Sequence, residues 1–271
     1  MLIFDENLKE IRVSKNKKVA VISGATGGMG SEIARKLASD GFELVLLGRN
    51  QNKLNDITAT LKTTSDCNIT NYCFDVCDSS AVAEFVETLK EQHSYISALV
   101  YAAGDGPVAK LSETTDEEWL NTFEVKLMGA VRLTRSMEQL LENGKGSVVI
   151  INGALTKQPH PLFPVNSAIN CAVSGFAKSI SSDLLPKGIR VNVVNPGATL
   201  TPLWETTARQ VGDAFGIKAE DITRDVESKA LYKRMTNPED VANAVSFFTS
   251  SQSIHISGTS LIVDGGALSA L

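Results

Sequence analysis

Short apolar runs alternate along the chain with longer stretches in which apolar side chains recur every third or fourth position. The runs are "KVAVIS" (18–23), "ELVLLG" (43–48), "NITNYCF" (68–74), "SALVYA" (97–102), "SVVII" (147–151), "RVNVV" (190–194) and "SLIVDGG" (260–266). Each has strand length, and several are rich in β-branched residues. Between them, Ile33, Ala34, Leu37 and Ala38 keep helical spacing from Gly30 and stop at Gly41. "NQNKLNDITATLK" (50–62) and "AVAEFVETLKEQ" (81–92) continue the alternation. The stretch 114–142 reads as one long helix, opened by a capping box from Thr115 to Glu118. Another helix carries "NSAIN" (166–170), and "NPEDVANAVSFFTS" (237–250) starts with Asn237 as N-cap and Pro238 at the first helical position. Strands this apolar, separated by helices, predict a single α/β domain: a doubly wound, seven-stranded parallel sheet with helices on both faces. The polar, small-residue segment 198–230 predicts an irregular insertion, a candidate lid over a cleft.

Composition narrows the classes of function. The 271 residues are 43% hydrophobic and 21% charged, which fits a soluble globular protein with a substantial core. No apolar run approaches the roughly eighteen residues of a membrane helix. A net charge of −5 without a basic patch argues against a nucleic-acid partner. Residues 1–17 read as an N-terminal extension, since their acids and weak apolar content do not make a signal peptide, and the domain proper runs over 18–271. Cys67, Cys73, Cys77 and Cys171 form no Cys-x-x-Cys pair, and with His93, His160 and His255 they complete no metal set. Cys73 and Cys77 read as buried, reduced thiols, which points to a cytoplasmic protein.

The first strand leads into "SGATGGMG" (23–30), which opens the first helix. Gly24, Gly28 and Gly30 allow a tight turn and let backbone N–H groups approach a pyrophosphate; Thr26 and Met29 lie in the same turn. The spacing G-x-x-x-G-x-G resembles that of the short-chain dehydrogenase/reductase family, and the resemblance extends over residues 18 to 266. It implies a Rossmann dinucleotide-binding fold. It also implies that Asp75 and Val76 of "FDV" meet the adenine, and that Ala103 and Gly104 of "YAAG" replace part of the family's Asn-Asn-Ala-Gly. Pro196 and Gly197 of "VNPGATLT" would lie against the nicotinamide, with Thr199 and Thr201 as carboxamide or phosphate contacts. After the second strand, Gly48 occupies the place of the acid that would hold an NAD ribose, and Arg49 follows it. An arginine there can pair with a 2′-phosphate that a carboxylate would repel, so NADP is preferred over NAD. The family's second basic marker is absent, its position being Gly27.

The same resemblance exposes an anomaly. The family reduces carbonyls with a Tyr proton donor, a Lys that lowers its pKa and holds the ribose, a Ser that orients the carbonyl and an Asn that anchors a water. An unassisted phenol titrates near ~10, too high to work at neutral pH without a neighbouring cation. Registered on its flanks ("GAVRLTRS", "GSVVIING", "NCAVSGFAKSIS"), this chain places Lys126 at the Asn, Gly153 at the Ser, Asn166 at the Tyr and Asn170 at the Lys and its ribose contact. Lys126 to Gly153 spans 27 residues and Gly153 to Asn166 spans 13, both usual for the family, and the chain has no Tyr-x-x-x-Lys. Lys126 could restore a cation to the pocket from the opposite helix, or could merely be tolerated at a decayed site. His160, in "QPHPLFP", has a suitable unperturbed pKa for an alternative acid, while Tyr101 and Asp105 are weaker candidates.

Three functions follow. The first is an atypical NADP-dependent oxidoreductase acting on a small molecule. The second is a non-catalytic nucleotide- or ligand-binding member, and the third a lyase or isomerase using Lys126. Ala168, Cys171, Ala172 and Gly175 permit close helix packing across a two-fold axis, and the resemblance implies a homodimer or homotetramer. The residues of 198–230 name no substrate.

Overall fold

Alternation within single strands decides how the two faces of the sheet are covered. In β1 (Val19–Ser23), Val19 and Val21 join the core on one face while Ala20 and Ile22 join the core on the other. The computed structural model describes residues 17–269, and the expected N-terminal extension lies outside them apart from Lys17. The other strands are β2 (Glu43–Gly48), β3 (Ile69–Cys73), β4 (Ala98–Tyr101), β5 (Ser147–Ile151), β6 (Arg190–Pro196) and β7 (Ser260–Val263). They form one seven-stranded parallel sheet in the order β3-β2-β1-β4-β5-β6-β7. Val21 pairs with Val45 on one side and Leu99 on the other.

One face is covered by α1 (Gly28–Ser39), α2 (Gln51–Thr64) and α10 (Pro238–Thr249), through Ile33, Leu37, Leu54, Val241 and Phe248. The other is covered by α3 (Ser79–Gln92), α5 (Gly129–Ser136), α6 (Glu138–Gly144) and α7 (Pro164–Leu184), through Phe85, Leu133, Leu141 and Val173. Strand order reverses between β1 and β4, so a crevice opens beyond their carboxyl ends.

Three expectations are corrected. The stretch 114–142 is not one helix: α4 (Asp116–Phe123) passes into a π-turn at Glu124–Met128 before α5, and the chain breaks again at Met137. The capping box at its start is present, with Glu118 N donating to Thr115 Oγ1 at 3.2 Å and Thr115 N to Glu118 Oε2 at 2.8 Å. Segment 198–230 is not irregular but holds α8 (Pro202–Phe215) and α9 (Ala219–Lys229). Thr201 accepts from Trp204 N to cap α8, Pro202 starts it, and Gly216, left-handed at φ 69°, ends it. Trp204 Nε1 donates to Thr223 Oγ1 at 3.1 Å and ties the pair together. Finally, the cysteines are free but not buried: Cys73 and Cys171 are exposed, Cys67 and Cys77 half-buried. Cys73 ends β3, an edge strand covered on few sides.

Candidate functional site

The glycine turn sits in the crevice at the β1/β4 reversal. Gly24 has φ 76°, and a Cβ on it would lie 2.5 Å from the Ala102 carbonyl oxygen. A Cβ at Gly30 would lie 2.1 Å from Gly24 O, and one at Gly28 would lie 2.8 Å from the Thr201 side chain. Only glycine permits this folding of turn onto helix. Helix α1 opens at Gly28 behind Gly27, which offers no side-chain cap, so its first amides point into the crevice with the positive end of the helix dipole. Thr26 and Met29 flank that opening. This uncapped, side-chain-free cradle fits a pyrophosphate, as a dinucleotide would present.

Arg49 and Asp75 stand together at the ends of β2 and β3, 3.8 Å apart and both substantially exposed. Asp75 Oδ1 also accepts from Cys77 N at 2.9 Å, fixing the loop that buries Val76. On the far side of the crevice, Gly197 follows Pro196 and packs so closely on Asp264 that a Cβ would lie 2.9 Å from the Asp264 Cβ. Thr199 is buried, its hydroxyl donating to Gly197 O at 3.0 Å; Thr201 turns its hydroxyl to α8. Ala103 is half-buried, and Gly104, at φ 120°, lies against Lys126: a Cβ there would meet Lys126 Cγ at 2.5 Å.

The structure brings Lys126, Gly153, Asn166 and Asn170 together. Lys126 leaves the π-turn, is 92% buried, and donates from Nζ to Asn170 Oδ1 at 2.6 Å and to Asn166 Oδ1 at 3.4 Å. Burial pulls its ammonium from 10.5 down to about 8, against the opposing pull of Asp105. Asn166 and Asn170 lie one helical turn apart on α7, which is why both reach the same ammonium. Asn166 Nδ2 points at Pro107 O, 3.5 Å away, and a Cβ at Gly106 would lie 2.6 Å from Asn166 Oδ1. Gly153 lets the Asn170 amide pack against its backbone: a Cβ there would stand only 2.8 Å from Nδ2. The pocket therefore gathers hydrogen-bond donors and one labile cation, suited to an electron-rich oxygen.

The other acid candidates separate. Tyr101 is buried and donates its hydroxyl to Val125 O; burial, then Cys77 and Asp75, push its phenol above the ordinary range, so it is no proton donor. His160 is exposed in the loop before α7, and its Nδ1 accepts from Leu162 N at 3.2 Å rather than facing Lys126. Asp105 is exposed and acts on Lys126 by its charge. Sequence reading missed Asn152, whose Nδ2 donates to Asn170 O at 2.9 Å and Ser174 Oγ at 3.2 Å, steadying α7 beneath the pocket. A polar side chain closing the apolar run "SVVII" was the available signal.

The same architecture recurs in known proteins. Residues 24–267 match the family described as Enoyl-(Acyl carrier protein) reductase. The chain belongs to that family, within the short-chain dehydrogenase/reductases, a group of oxidoreductases. It is 31% identical over 252 residues to 2,3-dihydro-2,3-dihydroxybenzoate dehydrogenase of Bacillus subtilis (strain 168), covering 92% of this chain and 95% of that one. L-sorbose reductase from Gluconobacter frateurii, complexed with NADPH and L-sorbose, matches with a TM-score of 0.87 at 30% identity, over 94% of this chain and 98% of that one. An NADPH-bound short chain oxidoreductase from Pseudomonas aeruginosa PAO1, containing an atypical catalytic center, gives 0.85 at 26% identity, over 94% and 98%.

Proposed function

We propose that the protein is an NADP(H)-dependent oxidoreductase with a non-standard active site, in which Lys126 serves as both cation and proton donor where the family uses Tyr and Lys. The observation that carries this reading is the Lys126 ammonium, buried and held on Asn170 Oδ1 at 2.6 Å and Asn166 Oδ1 at 3.4 Å. NADPH bound on the glycine cradle would supply hydride to a carbonyl, imine or conjugated carbon. The chain's own part is to hold the oxygen or nitrogen that gains charge. Two of the three Lys126 N–H groups go to the amides, and the third remains for substrate. Lowered to about 8, this lysine gives up its proton more readily than an ordinary one while staying mostly protonated near neutrality. Gly153 leaves room for the Asn170 amide that holds Lys126, and α8 with α9, within 198–230, would form the lid over the site.

Arg49 beside Gly48 supports NADPH over NADH: its contact with Asp75 is long at 3.8 Å and exposed, leaving the guanidinium free to turn to a 2′-phosphate. The NADPH-bound Pseudomonas relative supports the pairing of this cofactor with an atypical center. The test is to titrate NADPH and NADH by fluorescence, then to follow NADPH oxidation with a panel of carbonyls, enones and imines. Lys126→Ala should bind NADPH normally and lose on the order of 10²–10⁴ in turnover. Failure of both nucleotides to bind would sink the oxidoreductase reading. Turnover unchanged in Lys126→Ala would remove Lys126 from it.

A further inference from the structure

Tyr101 ends β4 with its ring buried and its hydroxyl donating to the carbonyl of Val125. Val125 lies inside the π-turn Glu124–Met128, immediately before Lys126. A π-turn holds one residue more than an α-turn, so a carbonyl within it lacks its regular donor four residues on. The phenol supplies one. The fit is tight on the other side: a Cβ at Gly129 would stand 2.1 Å from the Tyr101 oxygen and 2.9 Å from Val76 Cγ2. Gly129 itself closes the turn, its amide donating to Glu124 O. In an α-helix each residue advances about 100° around the axis. Loss of the extra residue would therefore swing Lys126 by about that angle relative to α5, off the face that meets Asn166 and Asn170. We infer that Tyr101 is the positioning residue of Lys126: its hydroxyl holds the π-turn open, and the π-turn aims the ammonium at Asn170.

Two departures from the family pattern, a tyrosine at the start of "YAAG" and a lysine at position 126, thus become one physical unit. The inference rests on Lys126 being the working group of the site, but its test needs no turnover. In the full chain labelled with ¹³Cε-lysine, which keeps all three N–H groups of each side chain, the Lys126 resonance is assigned with Lys126→Ala and titrated by NMR. The wild type is expected to titrate near pH 8, far below 10.5. Tyr101→Phe, which deletes a single oxygen, should move the midpoint upward by about one unit or more as the ammonium reaches water. Gly129→Ala presses on the same oxygen from the opposite side and should give the same shift. A folded Tyr101→Phe or Gly129→Ala protein in which Lys126 titrates as in the wild type would overturn the inference. So would a loss of NADPH oxidation in Tyr101→Phe without any change in that titration, since the tyrosine would then act by another route.

Discussion

Lys126 carries its charge into a place where the fold offers it amides rather than a carboxylate. An ammonium held near 8 in the native state and near 10.5 in the unfolded chain binds fewer protons when folded between those values. Stability therefore rises with pH across that window, by about 1.4 kcal/mol per unit where the states differ by one proton. The penalty is full below about pH 8 and gone above about 10.5. Urea unfolding of wild type and Lys126→Met at about pH 7 and about pH 10 should show the wild type gaining roughly 2 kcal/mol on the variant. Parallel stabilities would mean an unperturbed lysine. Gly153→Ser puts a Cβ 2.8 Å from Asn170 Nδ2. It should therefore lower turnover, by about tenfold or more, through displacement of that amide. Arg49→Ala should weaken NADPH by about ten- to a hundredfold and NADH little, in a fluorescence titration. At this scale the sequence was legible where the family resemblance assigned Lys126, Asn166 and Asn170 to one pocket, and the structure brings the three together. The bond from Tyr101 to Val125 O was not legible, because it ends on a backbone carbonyl that no side-chain pattern displays.

Elements were readable where caps and periods agreed. Thr115 with Glu118 and Asn237 with Pro238 begin their helices where expected, and Asn237 N also donates to Asp240 Oδ2 at 2.8 Å. Thr115→Ala should cost about 1 kcal/mol, measured by thermal or urea unfolding. The π-turn within 114–142 escaped detection because an inserted residue shifts the apolar stripe by a fraction of a turn, and propensities do not record it. Helices α8 and α9 escaped for a different reason. Apolar positions recur at helical spacing, Leu203, Trp204, Ala208, Val211 and Phe215 along α8 and Ile222 and Val226 along α9, but they lie among polar and small residues, and only Ala208, Gly212 and Ile222 are buried. Their caps at Thr201 and Gly216 were the overlooked signal.

At the level of the whole molecule, seven apolar runs separated by helices left little choice but a parallel sheet covered on both faces. The strand order then sets the crevice at the β1/β4 reversal, into which the glycine turn, Gly104 and Lys126 all project. Assembly is a separate question that one variant addresses. Ala168, Cys171, Ala172 and Gly175 are exposed on α7, and a Cβ at Gly175 would meet nothing within 4 Å. Gly175→Arg should therefore leave the protomer folded; if α7 pairs two copies, light scattering will show the mass halved relative to wild type. An unchanged oligomeric mass would place the interface elsewhere. The most direct test of the central claim is the pH dependence of NADPH oxidation with whichever substrate the panel identifies. If Lys126 donates the proton, kcat/KM for reduction falls about tenfold per unit above the lysine's midpoint near pH 8, and the residual rate of Lys126→Ala shows no such fall. A wild-type profile that stays flat through about pH 10, or falls identically in the variant, would contradict it.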